Sequence, residues 1–173
     1  CITNIVKALQ NMSKNNVGAL LVLSKGSLPK QVLQSGVMID AEISTQLIEG
    51  IFFPKAPLHD GAMIISEGRV LAAGCVLPLT ESTRISADLG TRHRAALGMS
   101  ENTDAVVVVV SEETGVVSVA VGGMLKRHLA PQTLERLLRT ELCQPEAEKN
   151  DNMVLRLTQK LSMKKKEDGG DEK

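Results

Sequence analysis

Aromatic residues are nearly missing from this chain: Phe52 and Phe53 are its only Phe, Tyr or Trp side chains. Proteins that grip single-stranded nucleic acid stack its bases on aromatic faces, so that class of function is disfavoured. A surplus of charge is missing too. Lys plus Arg and Asp plus Glu number 20 each, which leaves no global field to draw in a polyanion or a membrane surface. The three cysteines, Cys1, Cys75 and Cys143, are odd in number and far apart. They make neither a disulfide framework nor a zinc-type CxxC, and a reducing compartment is expected. No apolar run approaches the roughly 20 residues of a membrane span, and no signal peptide is visible. Because the chain starts at Cys1 rather than Met, a piece of a longer protein is expected.

What is present is a regular alternation of apolar periods. Ile2, Ile5, Val6, Leu9 and Met12 recur at helical spacing over residues 2–14. Residues 17–23 read as a continuous apolar strand, 25–35 as a loop around Gly26 and Pro29, and 37–39 as a short strand. Asp40 is placed to cap a helix carrying Ile43, Leu47, Ile48 and Ile51, which Pro54 and Pro57 end. Residues 62–65 and 69–77 flank the Glu67-Gly68 turn as a hairpin. A helix is expected over 91–100. Residues 105–110 read as a strand buried on both faces, and 116–121 as its return partner, broken by Gly122-Gly123. Pro131 opens a last helix with Leu134, Leu137, Leu138 and Leu142 on one side. The sum is an α/β domain with a mixed central β-sheet flanked by helices over residues 1–143. A charged tail, 144–173, follows; Met153, Val154, Leu157 and Leu161 could form a short helix there, and its lysine run is expected to be solvated and disordered.

Three polar clusters interrupt this pattern. Asp60-Gly61 stands at the mouth of the apolar run 62–65, where core should begin, and His59 borders it. Alone, an Asp-Gly pair is ordinary turn chemistry. Gly90-Thr91-Arg92-His93-Arg94 is sharper. If Thr91 caps the following helix, Arg92, His93 and Arg94 fall in its first turn, where each cation opposes the macrodipole at roughly 0.3–1 kcal/mol. A bound phosphate would reverse that cost, because free N–H groups, the positive dipole end and two guanidinium forks all favour it. The alternative is that these side chains splay into water or pair with acids such as Glu101 or Asp88. In the third cluster, Ser111-Glu112-Glu113, Glu113 could share Mg²⁺ or Mn²⁺ with Asp60, or be no more than an acidic turn. A Ser-His-Asp hydrolase pieced from Ser111, His59 and Asp60 lacks a nucleophile elbow, and adjacent His and Asp cannot readily form the relay. There is no GxxxxGK[ST] and no strand-linked GxGxxG.

Leu58-His59-Asp60-Gly61-Ala62, Leu77-Pro78-Leu79, Leu89-Gly90-Thr91-Arg92-His93-Arg94-Ala95-Ala96 and Val110-Ser111-Glu112-Glu113-Thr114-Gly115 occur in this order. Together they resemble the diadenylate cyclase domain family, with its DGA and RHR motifs. The resemblance runs from about Ile2 to Leu129 and is strongest to the membrane-anchored CdaA type; the DNA-binding region of the DNA-scanning type has no counterpart. It implies that two ATP become cyclic di-AMP and two pyrophosphates in a face-to-face homodimer, with a divalent metal (Mn²⁺, Mg²⁺ or Co²⁺). It implies that Asp60 assists the ribose 3′-hydroxyl and holds the metal with Glu113 and His59. By the same resemblance Gly61 and Ala62 approach the nucleotide through their backbone, and Leu77 meets the adenine edge. Gly90, Thr91, Arg92, His93 and Arg94 would bind phosphates, with Ser111 and Glu113 near the α-phosphate. Where family members often carry an aromatic residue this chain has Val76. The implied setting is bacterial: a cytoplasmic domain of a protein anchored to the cell membrane by a segment outside this chain. Regulatory protein partners are compatible with that setting; a nucleic-acid partner is not expected. Two rivals remain, a non-catalytic nucleotide sensor, which would not need Asp60 as a base, and a plain scaffold.

Overall fold

The computed structural model describes residues 1–83, 86 and 89–143; the short helix and lysine run expected in the tail, and Asp88, lie outside them. Along the chain come α1 (Ile2–Lys14), β1 (Ala19–Leu23), α2 (Lys30–Gln34), β2 (Val37–Glu42), α3 (Thr45–Phe52), β3 (Ala62–Ser66) and β4 (Arg69–Cys75). Then follow α4 (Thr91–Asn102), β5 (Val106–Val110), β6 (Val117–Val121), β7 (Met124–Lys126) and α5 (Pro131–Cys143).

A run of five valines can hide both faces only near the middle of a sheet. β5 lies there, in a seven-stranded sheet of order β2-β4-β3-β1-β5-β6-β7. The sheet is mixed as expected: β1 pairs with β3 in parallel, and every other neighbouring pair is antiparallel. Side chains alternate between two apolar layers. Val106, Val108 and Val110 join Leu21, Met63 and the inner faces of α1, α3 and α5. Val107 and Val109 join Val22, Ile64 and the α4 residues Ala95, Ala96 and Met99. Each of the larger of these side chains, Val, Leu, Ile or Met, contributes about 1.5–3 kcal/mol when taken out of water.

The structure departs from the sequence reading in four places. The segment 25–35 is not all loop, because α2 forms after Pro29. Asp40 does not cap α3; it sits inside β2 at φ +49, where the register shifts, and its carboxylate accepts from Arg69 Nε at 2.7 Å. The cap is Ser44, whose hydroxyl accepts from Leu47 N–H at 3.1 Å. Replacing it, Ser44→Ala, should cost about 1 kcal/mol and lower Tm by roughly 2–8 °C; an unchanged Tm in calorimetry would show that water serves the cap equally well. Gly122-Gly123 breaks β6 after Val121 as expected, but the chain then turns directly into an edge strand, β7, that the sequence reading did not include. Finally, β1 begins at Ala19 rather than Val17, whose N–H still donates to Met12 at the end of α1.

Candidate active site

Strand register decides which polar clusters meet. In the parallel pair Leu21 lies opposite Met63, so β1 and β3 start at the same end of the sheet. Ala19 lies opposite Val110 in the antiparallel β1–β5 pair, so β5 finishes at that end. Ala62 lies opposite Cys75, so β4 finishes there too. Gly18, Asp60 with Gly61, Val76 with Leu77, and Ser111 with Glu112 and Glu113 therefore line one sheet end. With strands about 4.8 Å apart, these four ends span roughly 14 Å. They are the amino ends of the parallel strands, not the carboxyl ends at which fully parallel α/β sheets hold ligands.

The helix α4 starts at the same place. Its N-cap is Gly90, with no side-chain cap, and Thr91 is its first residue, so the cap expected at Thr91 is not formed. Successive helical residues point about 100° apart, so the three basic side chains diverge. Arg92 Nη1 pairs with Glu112 Oε2 at 2.9 Å, His93 is buried, and Arg94 is exposed. The acid that meets Arg92 is thus neither Glu101, which accepts from Thr80 Oγ1 at 2.6 Å, nor any acid of its own helix.

The turn after β5 is closed on itself. Gly115 N–H donates to the Ser111 carbonyl at 2.8 Å, Thr114 N–H to Ser111 Oγ at 3.3 Å, and Ser13 Oγ to the Gly115 carbonyl at 2.6 Å. That leaves Glu112 and Glu113 exposed at its tip. Asp60 is also exposed. Beside it, Nδ1 of His59 lies 2.6 Å from the Ala56 carbonyl. A carbonyl only accepts, so Nδ1 donates in this bond, which leaves Nε2 as the ring nitrogen that would meet a cation. The same bond shows that His59 does not form a relay with Asp60 and Ser111. No group of three His, Cys, Asp or Glu side chains placed to hold a metal exists among the described residues.

Leu77 is buried while Val76 is exposed, and Val76 N–H donates to Ser35 Oγ at 2.9 Å. Pro29, Gln31, Val32, Ser35, Val76 and Leu77 line a shallow cavity of about 420 Å³. A larger one, about 690 Å³, lies at the opposite sheet end, where Leu23 and Ile65 finish β1 and β3, and includes none of the motif residues. Sequence reading missed Gln31 and Ser35, because the five-residue α2 carries no periodic signal. Next to the site, burial pushes the Cys75 thiol above its ordinary pKa. A water-soluble maleimide at neutral pH should therefore label the exposed Cys1 and Cys143 and spare Cys75, as read by peptide mass spectrometry. Equal labelling of all three in the native protein would contradict this.

Fold and site together define a class: an α/β domain whose mixed sheet brings exposed carboxylates to face an uncapped, arginine-bearing helix start. Within that class the chain belongs to the diadenylate cyclase domain family (DAC), described as DisA bacterial checkpoint controller nucleotide-binding, which matches residues 6–125. The cyclic di-AMP synthase CdaA of Bacillus subtilis is 46% identical over 140 residues, covering 81% of this chain and 51% of that protein. A diadenylate cyclase of Listeria monocytogenes is 43% identical over 148 residues, covering 86% and 54%. The chain thus spans about half the length of these relatives. The crystal structure of DacA from Staphylococcus aureus, a double mutant, superposes with a TM-score of 0.79 at 45% identity, covering 82% of this chain and 94% of that one.

Proposed function

We propose that this chain is the catalytic domain of a diadenylate cyclase that condenses two ATP into cyclic di-AMP and two pyrophosphates. The observation that carries the reading is the register, which sets Asp60-Gly61 and the Ser111–Glu113 turn on one sheet end with Arg92. In each of two equivalent steps a ribose 3′-oxygen attacks the α-phosphorus of the other ATP. The bond from the α-phosphorus to its bridging oxygen breaks, and pyrophosphate leaves. Asp60 is the exposed carboxylate that takes the 3′-hydroxyl proton, a role worth typically 10²–10⁴-fold. Arg92, Arg94 and the N–H groups at the start of α4 receive the phosphate charge, and Gly61 and Ala62 let the nucleotide lie close to the backbone. Leu77 and the Ser35-held segment at Val76 border the adenine, without an aromatic stack.

The donor set suits a divalent cation carried in by the substrate. Mg²⁺ and Mn²⁺ are commonly held by one or two carboxylates plus phosphate oxygens rather than by an all-protein cage. Asp60, Glu113 and His59 Nε2 are the side chains that would contribute to such a site, although no three of this kind are gathered into one cluster among the described residues. Bound there, Mn²⁺, Mg²⁺ or Co²⁺ would neutralise triphosphate charge and polarise the α-phosphate.

The product contains two phosphodiesters, while each chain offers one such sheet end. Two copies must therefore meet face to face. Activity per subunit should fall as the protein is diluted and vanish in a proven monomer; a constant specific activity there would refute the scheme. Membrane anchoring is part of the proposal only through a segment outside this chain. A neighbour at 41% identity and TM-score 0.71 is titled a hypothetical membrane spanning protein from Bacillus cereus. No helix among the described residues is long and apolar enough to cross a membrane.

A further inference from the structure

Gly18 is the last residue before β1, and nothing in its backbone calls for glycine: its φ is not in the left-handed region. Its surroundings do. A Cβ built there would lie 2.9 Å from Arg92 Nη1, 3.0 Å from Arg92 Cζ and 3.0 Å from Glu112 Oε2. The guanidinium therefore rests on bare backbone at the start of β1, with the Glu112 carboxylate on its flank. Each partner comes from a different element: the start of β1, the first turn of α4 and the turn after β5. The atoms a Cβ would displace are the tips of two side chains, so an added methyl moves the guanidinium and leaves the fold intact.

We propose that Gly18 and Glu112 are positioning residues for Arg92, fixing where its guanidinium meets the substrate phosphate. Gly18 supplies the seat, and Glu112 holds a single nitrogen, Nη1, so the remaining N–H donors stay available to a phosphate oxygen. The inference rests on the cyclase reading for the identity of that phosphate, the triphosphate of ATP. The sign of the Glu112 effect separates positioning from simple charge. Removing a negative charge beside a polyanion site should by itself tighten ATP binding. If the carboxylate instead steadies the arginine, its loss weakens binding.

The test is a set of variants, Gly18→Ala, Glu112→Gln, Arg92→Ala and the two doubles with Arg92→Ala, each measured for KM, kcat, Kd for ATP and Tm. A misplacement of about 1 Å can cost 10²-fold in rate, so the shift of a few tenths of an ångström forced by Gly18→Ala should lower kcat/KM roughly tenfold and raise KM and Kd. Glu112→Gln should raise them roughly threefold, the scale of an exposed ion pair. In both, Tm should stay near wild type. In the Arg92→Ala background neither change should have a further effect, because there is no guanidinium left to place. Single variants with wild-type KM, tighter ATP binding by Glu112→Gln, or full effects persisting without Arg92 would each overturn the proposal. A wild-type chain that binds ATP but forms no cyclic product would sink the cyclase reading alone, since Kd still reports the positioning. A chain that does not bind ATP at all would sink both.

Discussion

Asp60→Asn should abolish cyclic di-AMP formation, by at least about 10²-fold, while ATP binding largely survives. The substitution keeps size and removes the one thing a base must have, a carboxylate able to take a proton. Asp60 is exposed and stands one residue before the glycine that opens the route to the backbone of β3, so its loss leaves no buried partner stranded. Stability should therefore hardly change, and the defect should appear in kcat. Product analysis beside an ATP-binding titration separates the possibilities. Full turnover by Asp60→Asn would mean that another group takes the proton. Loss of binding as well would make Asp60 chiefly an anchor for the cation that carries the triphosphate.

Gly61→Ala should remove both stability and activity. Its φ of +120° lies where an L-residue is strained, at about 1–3 kcal/mol. A Cβ would also lie 2.7 Å from the Gly74 carbonyl carbon and 2.9 Å from the Cys75 oxygen. These are backbone atoms of β4 and its end, so nothing can swing aside. Either β3 parts from β4 or the Asp60–Ala62 segment moves. A drop in Tm of at least about 5 °C is expected, with activity lost even well below the transition. Gly68→Ala is the control. Its φ is +75°, yet a Cβ there meets nothing within 4 Å. It should show only the smaller conformational cost, and the site should keep its activity. Wild-type behaviour of Gly61→Ala would show that this segment yields freely and that the glycine serves neither purpose.

Much of this site is legible in the residues. The continuous apolar runs at β1 and β5, the latter all valine, could only be interior strands, and proline and glycine punctuation bounded most elements. What the residues did not disclose depended on contacts across the sheet. Asp40 looked like a helix cap because it precedes an apolar period; a bulge in β2 and its bond to Arg69 claim it instead. The cap on α4 passed from Thr91 to Gly90, a one-residue shift that local chemistry does not settle. β7 has three residues and no usable alternation, and is a strand only because β6 offers it an edge. The divergence of Arg92, His93 and Arg94 was implicit in helical geometry, but the pairing of Arg92 with Glu112 was not: the two are 20 residues apart and meet because α4 packs back along β5. Gly18 was invisible for the same reason. Within residues 17–23 it read as one more position of a continuous apolar strand, and only the folded chain shows what rests on it.

One measurement bears most directly on the cyclase reading. The chain is incubated with ATP and Mn²⁺, and in parallel with Mg²⁺, and the products are resolved by anion-exchange chromatography and mass spectrometry. Cyclic di-AMP accompanied by two pyrophosphates per product, and absent when the metal is chelated, is the expected result. ATP recovered intact with every metal at protein concentrations that support a dimer, despite measurable binding, would contradict catalysis and leave a nucleotide sensor built on the same sheet end.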